Sequence, residues 1–207
     1  DVTITLPAKE LDTVTITTYM GSIQLFQLQG ESVSATTDSG NVEVTEVSAA
    51  DKMEIISSMG DVQLQACTGG DLIVDSDMSN TDINDCQFEN GKLTGSSGSI
   101  QSKDSTWNTL DVENDMGNCV LDHVTASETV TCATGMGNVE LTKLSSPDIH
   151  LEADSGNITG SILGDQKDYQ IMQETDMGNS NLKDQLGGAC VLEVETSMGN
   201  IDLKFTK

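Results

Sequence analysis

A tetrapeptide built on Met-Gly-Asn returns ten times along this chain at a nearly fixed interval, and that interval limits the possible folds more than any other feature. One full copy is Asp115-Met116-Gly117-Asn118, followed by Cys119-Val120-Leu121; the other copies begin at Tyr19, Asp38, Ser58, Asp77, Ser96, Gly135, Asp154, Asp176 and Ser197. Between successive third positions, where Ser79 replaces Gly once, the steps are 19, 20, 19, 19, 19, 20, 19, 22 and 21 residues. A period of this length marks a solenoid, whose units bury an apolar face only by stacking on one another. Because the repeat runs from Val14 to Leu203 without a gap, residues 1–207 read as one domain.

Aligning the copies on the third position, here the corner, sorts the apolar residues into columns. Seven and five residues before it stand pairs such as Val33/Ala35, Met53/Ile55, Leu72/Val74 and Leu110/Val112. Two and four residues after it stand Ile23/Leu25, Val42/Val44, Val62/Leu64 and Cys119/Leu121. Both sets have period two, the mark of a strand with one buried face. A third inward column lies seven after the corner, at Leu28, Val47, Cys67, Cys86, Ser105, Val124, Leu144 and Leu163. The expected fold is therefore all-β: a single-stranded parallel β-helix, or β-solenoid, of about ten coils of 19–22 residues. With strands spaced about 4.8 Å apart, ten coils make a rod of about 45 to 50 Å.

The corner residues form a ladder: Gly21, Gly40, Gly60, Gly98, Gly117, Gly137, Gly156, Gly178 and Gly199, followed by Asn41, Asn80, Asn118, Asn138, Asn157, Asn179 and Asn200. Gly is expected where φ is positive, and Asn where the left-handed region is visited and the side chain bonds its own backbone. Just before the corner stand Met20, Met59, Met78, Met116, Met136, Met177 and Met198, with Ser39, Ser97 and Ser155 in the remaining coils. By strand parity these methionines read as a buried, flexible plug under the bend, with Met116 touching Met136. The last two coils are lengthened around 163–169 and 184–188.

Composition then excludes whole classes of function. A net charge of -25 with nine Lys and Arg argues against nucleic acid, which needs clustered cations, and disfavours anionic membrane surfaces. No apolar run is long enough to span a bilayer, so no membrane insertion is expected of this stretch. Apolar content of 36% with 3% aromatics suits a narrow interior. The sequence opens on Val2-Thr3-Ile4-Thr5-Leu6 without an initiator Met, which reads as a strand at the start of a trimmed or mature fragment whose leader or anchor lay upstream.

Candidate chemistry is weighed against packing at each position. Asp38, Asp77, Asp115 and Asp154 fall in alternate coils, about 9.6 Å apart, too far to share a calcium ion whose oxygen ligands lie about 2.3–2.6 Å away. Only Asp154 and Asp176 are expected in neighbouring coils, so the column reads as a solvated acidic edge. Gly69-Gly70-Asp71-Leu72-Ile73 has part of a calcium β-roll nonapeptide but does not recur. Thioethers suit Cu(I), yet a Met column broken by Ser is assigned to the core and not to a metal. Cys67 and Cys86 share a column and read as small core residues, a bridge being the other possibility; Cys119 and Cys132 replace aliphatics, and Cys190 reads as the exposed thiol. Phe88 and Trp107 share a column and read as packing in preference to a sugar-binding strip. His123 and His150 face outward without a nucleophile in register. Asn157-Ile158-Thr159 is explained by the Asn column. No catalytic residues, metal or cofactor are assigned.

The repeated [Asp/Ser]-Met-Gly-Asn-hydrophobic-x-Leu unit, with Val2-Thr3-Ile4-Thr5-Leu6-Pro7 at the start, resembles the adhesin-type β-solenoid family (domain of unknown function 4097) of bacterial envelope proteins. That resemblance implies right-handed coils, as does the lack of a hexapeptide repeat, and an envelope or extracellular location behind an anchor. It also implies a non-enzymatic surface module, adhesin-like or a spacer, with a link to envelope-stress sensing and a surface partner left unnamed. The alternative is a carbohydrate-binding or carbohydrate-active β-helix, which should cluster Asp, Arg or His on one face of neighbouring coils.

Overall fold

The computed structural model describes residues 11–207, and the strand expected at Val2–Leu6 lies outside them. The period-two segments before each corner form a long sheet: Leu11–Met20, Gln29–Ser39, Ser48–Met59, Thr68–Met78, Gln87–Ser97, Thr106–Met116, Thr125–Met136, Asp148–Ser155, Tyr169–Met177 and Cys190–Met198. The segments after each corner form a second sheet of shorter strands: Ile23–Phe26, Val42–Thr45, Val62–Gln65, Thr81–Asn84, Ile100–Lys103, Cys119–Asp122, Val139–Leu144, Ile158–Leu163 and Ile201–Thr206. All pairings within both sheets are parallel, and the corner columns stay in register from coil to coil. This is the β-solenoid of about ten turns that the repeat predicts.

The core is the narrow space between the sheets. Met53, Ile55, Val62, Leu64, Leu72, Val74, Val112 and Leu121 are fully buried, which places the two main apolar columns face to face. The third column is inward from Leu28 to Leu144 but not at Leu163, which is 40% exposed. There Ile162 is the buried residue, because the register shifts between Leu141 and Leu144 and sets Leu144 opposite Ile162.

A further column, nine after the corner, closes the third side with residues matched in size. Phe88 and Trp107 are both buried, and their rings stack at 5.7 Å between centroids. Room for them comes from neighbouring glycines: a Cβ on Gly91 would lie 2.6 Å from the Trp107 ring, and one on Gly69 would meet Phe88 at 3.1 Å. The pair is therefore core, as expected, and offers no platform to a sugar.

The order of the last two coils departs from a simple stack. After Asp148–Ser155 the next strand in the long sheet is Cys190–Met198, and Tyr169–Met177 lies outside it at the edge. In the second sheet Ile158–Leu163 pairs directly with Ile201–Thr206. The chain thus skips one position, lays down an outer strand, and returns to fill the gap. The two lengthened corners supply the necessary chain. The first carries a 3₁₀ turn at Gln166–Asp168; the second lets Gln185 exchange backbone hydrogen bonds with Ile171 at 2.9 Å, beside the outer strand.

Candidate functional site

The corner ladder runs the length of the rod, and its chemistry differs from expectation in two respects. Positive φ holds at Gly21, Gly40, Gly60, Gly98 and Gly117, but Gly137, Gly156, Gly178 and Gly199 are not among the positive-φ residues. What all of these beyond Gly21 share is close stacking: a Cβ on Gly40, Gly117, Gly156 or Gly199 would be driven into the carbonyl of the corner residue one coil away. Nor do the Asn side chains bond their own backbone. Asn41 Oδ1 accepts from Asp61 N at 3.1 Å, Asn118 Oδ1 from Asn138 N at 3.0 Å, Asn138 Oδ1 from Asn157 N at 2.9 Å and Asn157 Oδ1 from Asn200 N at 2.9 Å. Each amide oxygen thus satisfies a backbone donor in the adjacent coil, including the coil reached by skipping.

Two features of the coil escaped sequence reasoning. Three residues before the corner stands a buried polar column whose side chains donate to corner carbonyls: Ser57 to Gly60 at 2.8 Å, Thr134 to Gly117 at 3.0 Å, Thr196 to Gly156 at 3.0 Å and Asn114 to Gly98 at 2.8 Å. Its signal was legible as Thr, Ser or Asn recurring on an inward parity. The second corner, six after the first, puts Gln27, Glu46, Ala66, Asp85, Asp104, His123 and Lys143 at φ between 48° and 54°. No glycine marks it, so nothing in the composition announced it. Backbone donors such as Asp85 N to Lys103 O at 3.1 Å and Asp104 N to Asp122 O at 2.9 Å hold the conformation from the next coil.

The methionine column is not a plug. Met59, Met78, Met116, Met136, Met177 and Met198 are between 47% and 65% exposed, and Met20 is 83% exposed. Strand parity is lost at the bend because the inward place beneath it is filled by the polar column, which leaves the next side chain facing outward. In register across the sheet the column reads Met20, Ser39, Met59, Met78, Ser97, Met116, Met136, Ser155, Met198, Met177. Replacing Met116 by Asp should accordingly cost under about 1 kcal/mol, as surface changes do. A drop of several kcal/mol in denaturant unfolding would restore the buried assignment.

The acidic column beside it is reordered by the skipped coil. Ser197 lies between Asp154 and Asp176, so these two are not neighbours, contrary to the sequence reading. Asp alternates with a small residue from Asp38 to Asp176, which keeps like charges about two strand spacings apart.

Elsewhere the skipped coil brings carboxylates together. Glu195 sits in register with Glu152 on one side and Glu174 on the other. Desolvation, then the charges of Glu152 and Glu174, hold its carboxyl above the ordinary range. A carboxylate whose pKa is raised by folding contributes stability that is complete below its unfolded pKa of about 4.3 and is lost as pH rises through the folded value. Glu195→Gln should therefore raise the melting temperature at pH 7 and leave it unchanged near pH 3. Equal effects at the two pH values would disprove the repulsion.

The remaining candidates stay apart. His150 binds Asp148 at 3.1 Å and Glu193 at 2.9 Å, and His123 binds Asp122 at 2.7 Å; each is a clamp on the outer surface. All five cysteines are free thiols, with Cys190 the least buried. Cys67 Sγ donates to Gln65 O at 3.4 Å and Cys86 Sγ to Asn84 O at 3.2 Å; the neighbouring Cys67 thiol and burial push the Cys86 thiol up. Cys119 Sγ donates to Ala133 O at 3.9 Å, and the neighbouring Cys119 thiol together with full burial pushes the Cys132 thiol up. A shallow hollow of about 260 Å³ on the second sheet is lined by Glu43, Thr45, Gln63, Leu64, Gln65, Asp82 and Asn84. Desolvation and the charge of Asp61 raise the Asp82 carboxyl there. Among the described residues no three His, Cys, Asp or Glu side chains converge as a metal-ion group, and no helix is long and apolar enough to cross a membrane.

The decisive comparison is with the Toastrack DUF4097 profile, which matches residues 1–74 and 66–204. The chain belongs to this family. For the Toastrack chain, no curated protein and no solved structure matches. The two overlapping matches fit a Toastrack unit that is itself a stack of coils, since one set of columns continues through the overlap at 66–74.

Proposed function

We propose that this Toastrack solenoid is a non-enzymatic module of the cell envelope, an adhesin-like binding or spacing rod presented beyond the membrane by a flanking segment. The observation that carries the reading is the distribution of polar chemistry. It runs along the rod as repeated rows: Asn at the corner and hydroxyls beneath it, each bonded to the backbone of a corner, with Asp alternating with small residues beside them. Catalysis needs unlike groups converging on one point, whereas repeated rows suit length and extended contact. The carbohydrate alternative loses its aromatic platform, because Phe88 and Trp107 are buried.

The test combines location with activity. The gene product expressed in its own cell should be cleaved by protease added outside, and the purified rod should release no reducing ends from a panel of polysaccharides. Protection in intact cells combined with cleavage after lysis would overturn the envelope assignment. Saccharide hydrolysis would overturn the non-enzymatic one.

A further inference from the structure

We propose that the exposed methionine edge is a binding site for soft monovalent cations, Cu(I) or Ag(I), with one ion held by each in-register pair: Met59 with Met78, Met116 with Met136, and Met177 with Met198. This goes beyond the envelope reading and stands independently of it. Seven of the nine methionines occupy one position of the repeat, and that position is solvent-exposed. Burial therefore does not explain them. Nor does general apolar contact, since Leu, Ile and Val, abundant elsewhere in the repeat, never occupy the position. What Met has and they lack is a polarizable thioether, a ligand that selects Cu(I) over harder ions.

The register provides the geometry. Met59 and Met78, Met116 and Met136, and Met177 and Met198 are paired directly on adjacent parallel strands, about 4.8 Å apart. That backbone spacing is about twice a metal–sulfur bond, which for zinc and thiolate is about 2.3 Å, so the flexible side chains of one pair can bring both sulfurs to a single ion. Ser39, Ser97 and Ser155 divide the edge into these pairs. Charge follows the same division. Two neutral thioethers cannot compensate a cation, but each pair has one Asp at the preceding position, Asp77, Asp115 or Asp176, and a small residue, Ser58, Gly135 or Ser197, at the other. The carboxylate supplies negative potential, and the small side chain leaves the pair open to solvent. The net charge of -25 raises the local cation concentration further.

The test uses the Cys190→Ser protein, so that the least buried thiol does not compete, with Ag(I) as a redox-inert probe. Native mass spectrometry should show three ions per chain. In methyl-labelled protein the Met59, Met78, Met116, Met136, Met177 and Met198 resonances should shift, while that of the fully buried Met53 stays. Adding Met116→Leu and Met136→Leu, which keeps shape and apolarity, should lower the count from three to two. An unchanged count in that variant, or silver uptake without shifts at the paired methyls, would overturn the proposal; uptake at the buried cysteines would show itself as the second outcome.

Discussion

Gly117→Ala is expected to destabilise the rod by roughly 2–6 kcal/mol, combining backbone strain of about 1–3 kcal/mol with overpacking of similar size. Gly117 lies at φ +144°, and an added Cβ would meet the Gly98 carbonyl and come within 3.0 Å of Asn114 Nδ2. It would also disturb the bond by which Asn114 Nδ2 donates to Gly98 O at 2.8 Å. The informative control is Gly187→Ala, where φ is +88° but nothing lies within 4 Å of the new Cβ. That variant bears the conformational cost alone. Denaturant unfolding of the two variants should therefore differ by more than about 1 kcal/mol, and equal losses would show that the corner tolerates a side chain.

Removal of residues 189–207 is expected to damage far more than the terminal coil. In a stack laid down in order, the strand Tyr169–Met177 would stay paired with Asp148–Ser155. Here its partner is Cys190–Met198, and deletion takes away the bridge between them. The buried side chains lost include Leu192, Val194, Ile201 and Leu203, roughly 6–12 kcal/mol of burial at ~1.5–3 kcal/mol each. Tyr169 reports on the outcome. It is buried, donates to Ser146 O at 3.0 Å, packs on Phe205 at 5.3 Å between ring centroids, and has its phenol pushed up to about 12 by desolvation. In the truncated chain its ionisation should fall toward the ordinary value of about 10, and amide exchange should accelerate throughout Tyr169–Met177. Retained protection and an unchanged titration would mean that the outer strand docks without the inserted one.

The candidate site was only half legible in the sequence. The Met, Asp and Asn columns could be found by alignment alone, because a solenoid places residues of equal phase above one another. Which way a column faces could not be found so simply. Period two predicts direction along a straight strand, and the corner is where the strand stops being straight. Parity accordingly points Met116 inward, yet it lies outward, while the inward place belongs to the hydroxyl and amide of residues such as Thr134 and Asn114. The residue type predicts that Asn118 serves its own backbone; instead its Oδ1 accepts from Asn138 N, since a ladder one strand spacing away offers an amide in a fixed direction.

By itself the sequence determined the coil: its length, its two main apolar columns and the glycine corner, all of which follow from local spacing and the alternation of side chains along extended chain. Only the tertiary structure decided the order of stacking. Each coil offers its neighbour the same backbone donors and acceptors, so the repeat pattern cannot say which coil lies beside which. The lengthened corners at 163–169 and 184–188 let Cys190–Met198 enter ahead of Tyr169–Met177. That exchange set Ser197 between Asp154 and Asp176, stacked Glu195 between Glu152 and Glu174, and continued the Asn ladder from Asn157 to Asn200. Length of chain at a corner is visible in a sequence; where it leads depends on which edge the returning strand meets.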